Sequence, residues 1–161
     1  MRRKSSARHF VFARRRPVAA EVFLIFFALV WLGMLLGVAF LATPVKFQAP
    51  SLSLPVALDV GRQTFQVFNW VELALSAVLV AAAMIVRASA VVIGLVVVLA
   101  FFVLAQAFWL LPLLDTRVEA ILAGGVPPAS SLHILYIAID CTKLVILTGL
   151  SIAGLRRLAV D

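Results

Sequence analysis

Asp140 and Lys143 stand three residues apart inside HILYIAIDCTKLVILTGL, a stretch that is otherwise almost wholly apolar. His133, Tyr136, Asp140 and Lys143 follow one another at spacings of three, four and three. At the helical repeat these four positions fall within an arc of about 80°, a single stripe on one face. A second apolar run carries a matching stripe, Asn69, Glu72 and Ser76, with Gln66 one turn earlier, and a third contributes Gln106. Three ionisable groups and several amides on facing stripes can exchange protons or bind a cation, with Lys143 tuning the two acids. Held in lipid, each charge costs about 2.5–3.5 kcal/mol at the centre of a spanning helix. A polar contact between helices returns only about 0.6–2 kcal/mol. Stability alone is therefore a weak reason to keep Glu72, Asp140 and Lys143. Their charges sum to minus one, so either Glu72 is protonated or a cation or another basic group balances it.

The bland alternative is an Asp140–Lys143 pair that only fixes helix register, with Glu72 hydrated near the outer interface. On that reading His133 is an interfacial histidine, Tyr136 an interface aromatic and Cys141 a packing residue. Cys141 is the only cysteine, so no intrachain disulfide can form.

The elements that carry these residues are read from composition. The chain has 161 residues, 65% hydrophobic and 13% charged. So much apolar surface cannot be hidden in one soluble core, and much of it must face lipid. Four runs are long enough to span a bilayer. We expect helices over about 20–43, 66–86, 89–111 and 132–155. They form an all-α, polytopic four-helix bundle over residues 19–161, behind a basic cytoplasmic tail at 1–18. Val22 to Ala42 is too long for a signal-peptide core and is expected to remain as the first span. Pro44, Pro50 and Pro55 interrupt the segment after this span, and Ser53 with Pro55 suits a helix start. A helix from there to Val86 would run about 48 Å, longer than the roughly 30 Å hydrocarbon core. Its first part is expected to lie at the outer interface or to bend near Gly61. Between the third and fourth spans, Thr116 with Glu119 fits a capping box and Gly124–Gly125 a stop, which predicts a short external helix.

Seven of the fourteen basic residues lie in the first sixteen positions. With the N-terminus inside, these join Arg87, Arg156 and Arg157 on the cytoplasmic side, against Lys46, Arg62 and Arg117 outside. The asymmetry predicts both termini inside, in a multi-pass protein of the cell inner membrane. The basic tail suits anionic lipids rather than nucleic acid. Gly33 and Gly37 form a GxxxG pair, suited to close packing within the bundle or to a homo-oligomer. Trp31, Trp70 and Trp109 include two near the outer boundary, where an aromatic belt sits. No CxxC, HExxH, P-loop or GxSxG is present, so no enzyme, cofactor or metal is expected. Two functions fit this pattern: a small transporter or ion- or proton-linked permease component, or an accessory or assembly protein whose polar stripe is structural.

Two blocks carry a family likeness. TPVKFQAPSLSLPVALDVGRQTFQVFN is similar to the P-x-x-F…G-x-x-x-F segment of a widespread family of small four-helix membrane proteins of unknown function. FWLLPLLDTRVEAILAGGVPPASSLHILYIAIDCTKLVILTGL resembles that family's P-x-x-x-x-R…P…L-H…K segment, here Pro112, Arg117, Pro128, Leu132, His133 and Lys143. The family is loosely akin to eukaryotic TMEM-type proteins and to copper-resistance D-type membrane domains. The resemblance implies a four-helix membrane fold and no catalytic residues. The histidine-rich sites of copper- or haem-bearing relatives have no counterpart in this sequence.

Overall fold

The computed structural model describes residues 18–160. All but the last residue of the expected basic tail lies outside the described residues, and so does any contact of that tail with anionic lipid. Four helices are long and apolar enough to cross a membrane: α1 Ala19–Lys46, α2 Leu54–Ile85, α3 Ala90–Leu122 and α4 Leu132–Leu158. The described residues contain no strand. The chain is an all-helical, integral multi-pass membrane protein. Short connections make sequential helices antiparallel neighbours. Packing closes them into a ring in which α1 meets both α2 and α4, and α3 likewise meets both.

Side-chain burial depends on which face each helix turns inward. Trp31, Leu35, Leu79, Leu99, Val103 and Leu147 are fully buried along the bundle axis. Phe26, Val67, Trp70, Ile85, Val91, Phe101 and Val145 point outward and form the apolar belt a bilayer would cover. Trp70 and Trp109 lie on this outer surface, whereas Trp31 does not. Gly33 and Gly37 also face away from the other helices, with open space where a Cβ would stand. Close packing within the bundle is therefore not their role.

Two helices run through prolines by the same device. A proline lacks an N–H and its ring collides with the carbonyl four residues back. In α1, the π-helical turn Leu36–Ala42 ends two residues before Pro44, and Thr43 N–H reaches back to the Val38 carbonyl. The Thr43 hydroxyl donates to that same carbonyl at 2.8 Å. In α3, the π-helical turn Gln106–Leu110 ends two residues before Pro112, and Leu111 N–H bonds the Gln106 carbonyl. The expected external helix is consequently not separate. Leu111–Leu122 is helical but continues α3 beyond the π turn. The Thr116 hydroxyl bonds the Leu113 carbonyl inside that helix, so it caps nothing. Likewise α2 is one unbroken helix from Leu54 through Gly61 to Ile85.

Helix ends obey local chemistry. Ser89 accepts a bond from Val92 N–H at the start of α3. Gly124, at φ 83°, stops α3, while Gly125 N–H bonds the Ala120 carbonyl at 2.8 Å. The α2–α3 turn has the same pattern, with Ala88 N–H on the Ala83 carbonyl, but Arg87 occupies the left-handed position at φ 49°.

Candidate functional site

Each helix delivers one or two polar side chains to a single point near the middle of the bundle. From α1 comes Trp31, from α2 Glu72, from α3 Gln106, and from α4 Asp140 and Lys143. Glu72, Gln106, Lys143 and Trp31 are wholly inaccessible, and Asp140 is 3% exposed. Gln106 opens the π-helical turn of α3. The proline of that helix thus widens the backbone at the position from which the amide enters the core.

Lys143 is the hub. Its Nζ lies 2.6 and 2.9 Å from the two Glu72 carboxylate oxygens, 2.7 Å from Gln106 Oε1 and 2.9 Å from Asp140 Oδ1. An ammonium has three protons, so four oxygens share three donors. Trp31 Nε1–H donates to Glu72 Oε1 at 2.9 Å. Gln106 Nε2 donates to Asp140 Oδ1 at 3.0 Å, so its amide links the lysine to the second acid. Glu72 therefore receives charge-assisted bonds on both oxygens. Both contacts of Asp140 fall on Oδ1. Two carboxylates beside one ammonium carry a formal surplus of one negative charge, partly offset by the Trp31 and Gln106 N–H dipoles.

Asn69 and Tyr136 sit one turn from Glu72 and Asp140, toward the α1–α2 and α3–α4 connections, and are 3% and 4% exposed. They lie beside each other, yet neither the Asn69 amide nor the Tyr136 hydroxyl has a partner at hydrogen-bonding geometry. Buried polar groups without partners are costly, and such orphans mark a place for water, an ion or a ligand. Tyr136 packs edge-on to Phe65 at 5.3 Å and also lines a cavity of about 240 Å³. That cavity is bounded by Lys46, Arg62, Arg117 and His133 among largely apolar walls.

The stripes are thus not uniform. His133 is exposed and lines the cavity instead of joining the network. Gln66 is exposed on the outer surface. The Ser76 hydroxyl is spent on the Leu73 carbonyl. Cys141 is exposed, so it is not a packing residue. Asp140–Lys143 is no isolated register pair, because Glu72 is the closer partner of the lysine. Only two of the three tryptophans were assigned a place, near the outer boundary, and Trp31 was not among the residues expected at the site. Its position near the middle of α1 was the available signal, since an indole N–H buried at that depth needs an acceptor. Among the described residues, no three of His, Cys, Asp and Glu come together as a metal site.

A family model described as "Domain of unknown function (DUF4149)" matches residues 17–120. The chain belongs to this family. The DUF4149 segment holds α1, α2 and nearly all of α3, and with them Trp31, Glu72 and Gln106. Tyr136, Asp140 and Lys143 lie on α4, beyond the matched segment. No curated protein matches the chain, and no solved structure does.

Proposed function

We propose that this DUF4149 protein is a proton-linked permease component of the cell inner membrane, with Asp140 as the group that exchanges the proton. The supporting observation is the pair of unpartnered side chains, Asn69 and Tyr136, between an outer cavity and a buried network with one surplus negative charge. Water entering at Tyr136 would satisfy both orphans and reach Asp140 first. Lys143 and Trp31 donate to the Glu72 carboxyl oxygens, whereas Asp140 has only Oδ1 engaged. A proton on Oδ2 would remove the surplus charge without breaking the Gln106 bond. Below the network the buried side chains are mostly apolar, Leu79, Leu99 and Leu147 among them, with Ser76 and a partnerless Ser151 as the buried hydroxyls, which favours access from the cavity side. The basic asymmetry puts that side outside, with both termini in the cytoplasm. No nucleophile or cofactor motif supports an enzyme.

A second reading rests on a different observation. Every Lys143 proton is used and all four helices are tied together, as in an accessory protein whose network is only structural. Infrared spectroscopy of the purified protein separates the two. Lowering the pH should raise a protonated-carboxyl C=O band that Asp140→Asn abolishes and Glu72→Gln retains. A network with no titrating carboxyl band in the folded protein would leave the structural reading standing.

A further inference from the structure

We infer that the outer cavity is a binding site for a small organic anion with an apolar body, of the arylcarboxylate type. The inference stands on the cavity itself and not on proton exchange at Asp140. At about 240 Å³ the space is smaller than the roughly 300–1,000 Å³ of pockets for drug-sized molecules. Its walls come from three helices and the end of α1, and are mostly apolar: Phe65, Leu111, Leu114 and Val118 supply the surface for a ring or branched chain.

The charged groups at the cavity are not equivalent. The two terminal nitrogens of Arg62 are occupied, 3.0 Å from Asp59 and 3.1 Å from Glu119, while its Nε has no partner, and Asp115 is also on the wall. Lys46 and Arg117 have no acidic partner among the described residues. Lys46 rests only over the Phe47 ring at 5.0 Å, and Arg117 donates only to the Pro128 carbonyl, at 2.6 Å. The Lys46 ammonium sits where a Cβ on Gly61 would stand, so glycine at that buried position makes the cradle that brings the charge to the cavity. A carboxylate held by Lys46 and Arg117 would meet a further donor in the partnerless Tyr136 hydroxyl, which lines the same space and is 96% buried by its 4% exposure. Cation, unpartnered hydroxyl and apolar wall together describe an anionic head on an apolar body.

The same chemistry could come from a water-soluble carboxylate or from an anionic lipid headgroup. Calorimetric titration of the full chain in phosphatidylcholine nanodiscs distinguishes them, with benzoate as probe. Benzoate should bind, while acetate (no apolar body) and benzyl alcohol (no charge) should bind at least about tenfold more weakly. Lys46→Gln should weaken benzoate about tenfold, and Gly61→Ala should do the same by displacing the ammonium. Lys46→Arg should retain binding, and the melting temperature should hold for all three. Loss of benzoate binding in phosphatidylglycerol nanodiscs would make the lipid headgroup the natural occupant of this site, and unchanged binding there the soluble anion. Benzyl alcohol binding as tightly as benzoate, benzoate failing to bind in phosphatidylcholine, or Lys46→Gln binding like the parent in folded protein would each overturn the assignment.

Discussion

Lys143 has three protons and four oxygens within 2.9 Å, so the three members of the ionic cluster should not be equally dispensable. Lys143→Leu leaves two buried carboxyl groups without their cation and should cost about 3–5 kcal/mol, the range for breaking a buried pair. Asp140→Leu should be the mildest of the three single changes, since Glu72 and Gln106 still satisfy the lysine. Joint replacement of Glu72 and Lys143 by leucine should recover much of the Lys143→Leu loss. Thermal unfolding in detergent ranks these variants, and an Asp140→Leu loss equal to that of Lys143→Leu would mean the lysine is not shared. Trp31→Phe keeps most of the packing but removes the N–H to Glu72, so it should cost about 1.5–3 kcal/mol, as hydrogen bonds to charged groups do. A loss near zero would show the indole bond to be idle. At this scale the sequence was informative about polarity and poor about partnership. Helical spacing aligned Glu72, Asp140 and Lys143 on inward stripes, because spacing within one helix fixes the face. It could not say which acid on another helix lies nearest, since that depends on interhelical rotation and offset. Hence His133 and Gln66 were grouped with residues from which the bundle separates them.

Helix ends and prolines account for most differences at the scale of elements. Four apolar runs and the Ser89 and Gly124 boundaries were legible, because length, capping oxygens and glycine each act locally. The continuity of α3 was not, because a proline normally ends a helix and only the π turn before Pro112 lets this one go on. The two turns between helices offer a matched test of backbone strain. Gly124 and Arg87 both adopt left-handed φ, yet only glycine does so without a Cβ penalty. Gly124→Ala should lower stability by about 1 kcal/mol, whereas Arg87→Gly should raise it by up to about 1 kcal/mol. Melting temperatures that move in the same direction would contradict this account of the turns.

For the whole molecule, orientation and sidedness carry the functional argument. A reporter active only outside the cytoplasm should work when fused after Val126 and stay silent after Asp161, given the ten-to-three basic asymmetry. The reverse pattern would invert the bundle and place the cavity on the cytoplasmic face. With Asn69 and Tyr136 lacking partners on the cavity side of the network and mostly apolar packing around Leu79 and Leu147 on the other, the proposed exchange at Asp140 would take place from the cavity side. The most direct measurement is infrared detection of the carboxyl C=O band in vesicles of defined orientation, with the pH stepped on one face while the other is buffered. The account predicts a band that rises when the cavity side is acidified, stays flat when the opposite side is, and is absent in Asp140→Asn. A band that responds equally from both faces, or only from the face opposite the cavity, would contradict it.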